Sequence, residues 1–197
     1  MAMRFRCAAV AMALLAAGAT CAQEAGTPSA EQQAMMEAYQ RAATPGAQHA
    51  SLARMAGDFT LTVKSYMEPG AEPEVSAATA TRRLILGGRY LEEVVKGTMM
   101  GQPFEGRGIS GYDNVSGEWW GTWIDTMSTG IMISRGEWDE AAGVGTFTGE
   151  YNDAVTGKVQ TSRMTNRRLP NGDEVMEMYL PTPGGEVKAM EILYKRR

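Results

Sequence analysis

Turn-forming residues interrupt this sequence at short, regular intervals from about residue 55 to residue 197. Gly, Pro, Asn and Asp cluster roughly every 13 residues, a spacing typical of short strands joined by tight turns. The clusters lie at 68–70, 87–88, 101–103, 113–117, 127–130, 140–143, 152–157, 170–172 and 183–185. They leave about ten strands and no room for crossover helices. We therefore predict an all-β fold, a closed antiparallel meander barrel.

Between the turns, apolar and polar residues alternate, as expected for strands with one buried and one exposed face. The predicted strands are 59–66, 79–86, 90–98, 104–112, 118–125, 131–138, 144–151, 158–169, 174–180 and 186–194. Asn171 and Gly172 predict a type I′ hairpin turn, because both residues tolerate the positive φ that this turn requires.

Glycines recur inside the predicted strands, where they would weaken an ordinary flat sheet. A closed barrel instead needs sharp bends and room for bulky neighbours, so the glycines favour closure over a two-sheet sandwich. The sandwich remains the main structural alternative. The glycines concerned are Gly106, Gly108, Gly111, Gly121, Gly136, Gly145 and Gly149.

The first 22 residues have the pattern of a secretory signal peptide. Arg4 and Arg6 form a basic start, and the apolar stretch 7–17 is too short to span a bilayer. Small residues then allow cleavage after Ala19 or after Ala22. The pattern predicts a periplasmic or secreted protein.

Both cysteines of the chain, Cys7 and Cys21, fall in this segment. The cleaved chain would contain no disulfide and would depend on core burial, for which about 175 residues suffice. A lipoprotein signal acylated at Cys21 is the alternative, although Gly18 stands where such signals carry leucine. No later stretch is long and apolar enough to cross a membrane.

The charge balance gives no sign of a nucleic-acid partner. The formal net charge is −4, and losing Arg4 and Arg6 with the signal peptide would make it −6. The basic clusters at 82–83, 167–168 and 195–197 lie at strand ends or at the terminus, where charges are usually solvated.

Two helices are expected ahead of the strands, as an N-terminal helical cap. Ser29 and Gln32 have the spacing of a capping box and predict a helix over 31–43, followed by a second over about 48–56. We expect them to cover one mouth of the barrel or to pack against its outside. The predicted organisation is a signal peptide (1–22), a leader and N-terminal helix (23–44) and a β-barrel domain (45–197).

His49 is the only histidine, so every histidine-dependent mechanism rests on it. The predicted strands contain neither cysteine nor histidine, so the usual zinc ligands are missing. We predict no metal and no cofactor. The common role for such a residue is to cap the helix or pack it on the barrel rim. A gate or proton-transfer role at the mouth is the alternative.

Aromatic residues are candidates for lining a ligand cavity. On a strand, Trp119 and Trp123 share one face while Trp120 faces the other way. Trp123, together with Tyr112 and Tyr151, could line an apolar cavity for a flat or greasy ligand. The alternative is an ordinary packed core.

Glu92 and Glu93 are adjacent in a predicted strand, so one of the two must point into the barrel. A buried carboxylate needs a partner, which Arg82 or Arg107 on a neighbouring strand can supply. Such a pair either closes a structural network, which is the more common case, or anchors the polar end of a ligand.

Two further patterns are explained by the barrel itself. The run 106–111 matches the dinucleotide fingerprint G-x-G-x-x-G, but a turn and a strand follow it instead of a helix. The chain also contains 15 methionines. Thioethers can bind Cu(I), yet methionines in strands more often form an adaptable core or pocket.

Several motifs carry a resemblance to a known family. They include Gly57-Asp58-Phe59 and Gly111-Tyr112-Asp113-Asn114, and lie at 45–59, 85–91, 100–106, 111–114, 123–130, 147–151 and 190–194. On these motifs the chain resembles the bacterial domain-of-unknown-function family 1579, over roughly residues 45–197. The resemblance implies a calycin-like barrel, similar in shape to lipocalins, fatty-acid-binding proteins and haem-binding nitrobindins, with no established reaction. Nitrobindin-like proteins take a haem ligand from a strand, and the predicted strands here contain no histidine.

The expected function is binding of a small apolar or amphipathic ligand inside the barrel, since barrels of this size admit one small molecule. One alternative is an enzyme, for instance a hydrolase, that uses inward carboxylate, tyrosine and arginine groups. Another is a structural or interaction protein with a filled barrel. The candidate ligand-binding residues are His49, Glu92, Glu93, Arg107, Tyr112, Trp123 and Tyr151.

Overall fold

The computed structural model describes residues 27–68 and 70–197, so the predicted signal peptide, its cleavage sites and both cysteines lie outside the described residues. Two helices, α1 (Ala30–Ala43) and α2 (Ala47–Met55), precede ten strands. The strands are β1 (Gly57–Ser65), β2 (Glu74–Ile85), β3 (Tyr90–Met99), β4 (Gln102–Asp113), β5 (Glu118–Asp125), β6 (Met132–Asp139), β7 (Val144–Asn152), β8 (Val159–Arg168), β9 (Glu174–Thr182) and β10 (Gly185–Arg196). A short 3₁₀ turn at Leu86–Gly88 joins β2 to β3.

The ten strands form one closed sheet. Each strand pairs antiparallel with its neighbours in sequence, and β1 also pairs with β10 along its length. The seam between β1 and β10 places Leu61 opposite Tyr194 and Val63 opposite Ile192. The predicted ten-stranded antiparallel meander barrel is therefore confirmed, and the sandwich alternative is wrong.

Alternation along β1 builds the centre of the apolar core. Phe59, Leu61 and Val63 point inward and are buried, while the residues between them face outward. Across the neighbouring strands, Ala80 and Tyr194 complete this cluster.

Glycines inside the strands make room for large side chains. A Cβ atom at Gly106 would overlap the indole ring of Trp123, and one at Gly108 would overlap the Thr122 carbonyl and crowd the same ring. At Gly136 a Cβ atom would overlap the backbone of Thr146 and Phe147. The glycines thus act as the sequence analysis expects for a closed barrel.

The turn between β8 and β9 differs from the prediction. Among the described residues other than glycine, only Leu86 and Met100 have positive φ, so Asn171 does not form a type I′ turn. Gly172 N–H donates to the carbonyl of Leu169 (3.0 Å), and φ at Gly172 is +84°. Pro170 fixes a negative φ at the first central position, which favours a type I turn followed by a left-handed glycine.

Helix α1 forms as predicted, with its capping box intact. Gln32 N–H donates to Ser29 Oγ (3.2 Å), and Ser29 N–H donates to Gln32 Oε1 (2.8 Å). The helix nevertheless buries none of its side chains, which corrects the expectation that it packs on the barrel. Only its carboxyl end is attached, where Asn114 Nδ2 donates to the Thr44 carbonyl (2.8 Å) and Arg89 Nη2 to that of Ala43 (2.8 Å). Neither α1 nor α2, the helices of the described residues, is long and apolar enough to cross a membrane.

Helix α2 closes one end of the barrel, which we call the floor. Leu52 is buried against Leu91 and Trp119, and Met55 packs on the same cluster. The predicted helical cap is therefore provided by α2. The opposite end, which we call the mouth, is bordered by the loops that follow the odd-numbered strands, including those after β3, β5 and β7.

Candidate functional site

The barrel encloses a cavity of about 660 Å³, so its interior is not filled by side chains. The cavity extends from Leu52 and Met55 of α2 at the floor to Ser128 and Ala154 in the loops of the mouth. Most of its walls are apolar. The apolar wall residues include Leu61, Val63, Phe104, Met176, Met190 and Ile192.

A row of small residues leaves this space open. Directly paired inward positions on five successive strands carry only serine or glycine. No side chain in this row is long enough to reach the opposite wall, so the width of the barrel stays empty at this level. The row is Ser110, Gly121, Ser134, Gly149 and Ser162.

Methionines line much of the remaining wall. Their unbranched thioether side chains adapt to irregular shapes, a property common in pockets that accept varied apolar molecules. Among residues 27–68 and 70–197, no group of three histidine, cysteine, aspartate or glutamate side chains is placed to hold a metal ion. The lining methionines are Met55, Met99, Met132, Met164, Met176, Met178 and Met190.

Trp123 and Tyr151 line the cavity on the mouth side. Trp123 Nε1 donates to Asp125 Oδ2 (2.8 Å), which fixes the indole ring over Gly106 and Gly108. Burial raises the pKa of Tyr151, and the nearby Asp153 carboxylate raises this pKa further. Tyr151 therefore stays protonated at neutral pH and can donate a hydrogen bond.

Three charged side chains meet inside the barrel near the floor. Arg82 Nε donates to Glu93 Oε1 (2.8 Å), and Arg82 Nη1 donates to Glu174 Oε2 (2.5 Å). The Arg82 guanidinium lies 4.4 Å from the centre of the Tyr194 ring and 5.0 Å from that of Phe59. We call Arg82, Glu93 and Glu174 the interior triad.

Arg82 stays charged despite its burial. Burial works against the charge on Arg82, but the Glu93 and Glu174 carboxylates outweigh it and raise the pKa of Arg82 well above its usual value. Burial also raises the pKa of Tyr194, and Glu93 adds to this increase. Arg82 is thus a permanent cation and Tyr194 a neutral phenol at neutral pH.

Glu140 fastens α2 to the barrel. Its carboxylate accepts hydrogen bonds from Ser51 Oγ, from Arg54 Nε (2.9 Å), from Trp138 Nε1 (2.9 Å) and from Arg168 Nη1 (3.1 Å). Burial alone would raise the pKa of Glu140, but these donors outweigh it and lower the pKa to about 2. One carboxylate therefore joins α2 to β6 and β8.

Replacing Glu140 with glutamine is expected to weaken this attachment in a pH-dependent way. Because the pKa is lowered from 4.5 to about 2 on folding, the carboxylate stabilises the protein above pH 4.5 and loses this effect as the pH falls toward 2. The side chain is 42% exposed, so we expect a loss of only about 1 kcal/mol at pH 7. Urea unfolding of wild type and Glu140→Gln at several pH values measures this difference.

Glu118→Gln is the matched control, since Glu118 makes one exposed ion pair with Arg135 (3.4 Å). A free-energy difference for Glu140→Gln that does not shrink between pH 4.5 and pH 3 would show that Glu140 does not hold α2 by its charge.

The sequence is similar to those of known proteins. A family model described as "Protein of unknown function (DUF1579)" matches residues 44–196. The protein belongs to the DUF1579 family. No curated protein matches this DUF1579 chain. Eleven chains of solved structures do match, among them the crystal structure of Rv2717c from M. tuberculosis.

The DUF1579 chain and Rv2717c superpose with a TM-score of 0.60 at 12% sequence identity. The match covers 78% of the DUF1579 chain and 99% of Rv2717c. At 12% identity, this similarity shows a shared fold and gives no information about activity.

Three of the seven candidate ligand-binding residues of this DUF1579 protein line the cavity: Glu93, Trp123 and Tyr151. The register places Glu93 inward, opposite Arg82, and therefore turns Glu92 outward. Arg107 also faces outward, where its Nη2 atom donates to Glu105 Oε1 (3.0 Å). Glu92 and Arg107 do not reach the cavity, so the inward acid is Glu93 and its partner is Arg82.

His49 on α2 and Tyr112 on β4 lie outside the cavity lining. His49 is buried, and its Nδ1 atom accepts a hydrogen bond from Gly46 N–H (3.0 Å) at the start of the helix. Its ring meets the Tyr112 ring edge-on, with centres 6.1 Å apart. These contacts fit the capping and packing role of His49.

The sequence reasoning missed Glu174 and Glu140 in this DUF1579 protein. Glu174 begins β9 and shares its inward face with Met176 and Met178. The alternation of this strand could therefore have shown that Glu174 points into the barrel. Glu140 lies in a turn after Trp138, where an acidic residue ordinarily indicates a solvated loop. No local pattern marks it as a partner of α2.

Proposed function

We propose that this DUF1579 protein binds one small apolar or amphipathic molecule inside its barrel. The observation that carries the proposal is the interior cavity of about 660 Å³, enclosed by apolar walls and holding a charged triad near one end. Pockets for small molecules commonly measure about 300–1,000 Å³ and combine apolar walls with a few polar groups.

The distribution of groups along the cavity supports an elongated ligand held lengthwise. An apolar body would contact the methionine-rich wall and the Trp123 ring, and its entry would be at the mouth, because α2 covers the floor. The interior triad would meet the end of the ligand that arrives first. Each empty apolar surface favours occupation, because filling it removes water from contact with the wall.

We also propose that the protein acts in the periplasm or outside the cell. The basic start, short apolar stretch and small residues within 1–22 support export, so the ligand would be one met in the periplasm or outside the cell. Detection of the cleaved chain in periplasmic or culture-medium fractions tests this part separately.

Filling part of the cavity should weaken binding without unfolding the barrel. Ser134 lies inward in the row of small residues, so Ser134→Leu adds volume directly to the cavity. We expect the affinity for N-phenyl-1-naphthylamine, an uncharged apolar fluorescent probe, to fall at least about tenfold, since the added side chain occupies ligand space. Probe titration by fluorescence measures this, and native mass spectrometry shows whether a small molecule co-purifies.

Thr148→Leu is the matched control, because Thr148 is exposed on the outer face of β7, the strand next to Ser134. It adds a similar volume outside and should leave probe binding unchanged. If the wild-type protein neither binds the probe nor carries a co-purified molecule, the proposed function is overturned.

A further inference from the structure

We infer that the ligand carries a cationic group, such as a primary amine, which binds at the floor beside Glu93 and Glu174. This inference rests on the proposed function and names the chemical class of its ligand. It is carried by the charge, the hydrogen bonds and the position of the interior triad.

The cavity is electrically unbalanced. Four carboxylates against two guanidinium groups leave a formal charge of −2 around it: Glu93, Asp125, Asp153 and Glu174 against Arg82 and Arg167. Within the interior triad itself, two carboxylates share the single cation of Arg82. A buried negative charge without a partner is unfavourable, so a bound cation would stabilise this arrangement.

Arg82 is already paired with two carboxylates, which disfavours an anionic ligand beside it. Its Nε and Nη1 atoms each donate to one of the two carboxylates, and its guanidinium carbon lies over the rings of Phe59 and Tyr194. A fatty-acid carboxylate arriving here would meet Glu93 and Glu174 before it could reach the arginine. The excess of carboxylates over cations in the triad therefore disfavours an acidic ligand.

The two carboxylates keep open acceptor positions. Among the described residues, Glu93 Oε2 and Glu174 Oε1 receive no hydrogen bond and neither atom is fully buried, while both side chains line the cavity. An ammonium group has three donors and no acceptor, which matches a site made of carboxylate oxygens. Hydrogen bonds between charged groups are also the stronger kind.

The position of the triad fixes the orientation of the ligand. Glu174 is the first residue of β9, and Arg82 pairs with Gly57, the first residue of β1, so the triad lies at the floor end. From there the apolar wall continues to the mouth. The cation would therefore lie deepest, with the apolar body extending toward Trp123 and Met99.

A matched series of ligands tests this inference. Decylamine, decanol and decanoate share one apolar chain and differ only in the charge of the end group at pH 7. Displacement of N-phenyl-1-naphthylamine from the wild-type protein, below the concentrations at which they form micelles, should show decylamine binding about tenfold or more tightly than decanol. Decanoate should bind most weakly.

Glu174→Gln should lower the affinity for decylamine about tenfold while leaving that for decanol unchanged. Glu92→Gln, on the outer face of the strand that carries Glu93, should change neither affinity. Decanol or decanoate binding to the wild-type protein as tightly as decylamine would overturn the cationic preference and leave the proposed function standing. If the variant does not fold, the wild-type series decides alone, and absence of all binding would overturn the proposed function itself.

Discussion

Arg82→Met should destabilise the protein by about 3–5 kcal/mol, because it leaves two buried carboxylates without their only shared cation. The Arg82 side chain is only 11% exposed, so water cannot replace the lost partner. Methionine keeps the length of the apolar stem between Phe59 and Tyr194, which confines the change mainly to the charge. Urea unfolding at pH 7, monitored by circular dichroism, measures the difference.

The neighbouring Arg83 provides the control. It forms an ion pair with Asp58 (2.8 Å), but its side chain is 54% exposed, so Arg83→Met should cost less than about 1 kcal/mol. Equal effects of the two substitutions would contradict the view that the interior triad is a buried network held by one cation.

Phe59→Ala should have an effect of similar size, about 3–5 kcal/mol, through lost packing. Phe59 is 0% exposed, and its ring meets that of Tyr194 edge-on, with centres 5.9 Å apart. The substitution removes the ring from the core cluster and also removes one face of the support for Arg82. The measurement is the midpoint and slope of urea unfolding, since an unchanged slope shows that stability alone has changed.

Tyr39→Ala removes an aromatic ring from α1, where Tyr39 is 73% exposed, and should leave stability within about 0.5 kcal/mol of wild type. A loss for Phe59→Ala no larger than that for Tyr39→Ala would mean that the interior of the barrel does not depend on this side chain.

The ten strands could be predicted from the sequence because turn residues mark their ends and alternation marks their faces. The start of β2 was missed: it begins at Glu74 and not at residue 79. Alanine-rich positions such as Ala77 and Ala78 give a weak strand signal by themselves. Pairing with β1, which places Ser65 opposite Glu74, extends the strand beyond what its own residues indicate.

The candidate site could be predicted only in part. Because Glu92 and Glu93 are adjacent, the sequence shows that one of them points inward. The register of β2 on β3 identifies it as Glu93, which lies opposite Arg82. Arg107 lies between Gly106 and Gly108, and those two positions face inward beneath Trp123. A glycine on each side of a charged residue was thus the available sign that Arg107 itself faces outward.

The alternation of β9 indicates that Glu174 faces inward, but no local pattern identifies Arg82 as its partner. Glu174 lies on β9 and Arg82 on β2, and only the pairing of β1 with β10 brings these strands to the same region of the barrel. The same holds for Glu140, whose partners Ser51 and Arg54 lie on α2, far away in the sequence. Long-range contacts of this kind depend on the whole fold.

The seam between β1 and β10 sets the order in which the molecule can assemble. Every other pairing joins consecutive strands and can form as a hairpin while synthesis continues, whereas β1 must wait for β10. Until then the sheet has two unpaired edges, which expose it to association with other chains. The contact from Arg82 to Glu174 spans this seam, so the cavity and its charged end come into being together in the last step of folding.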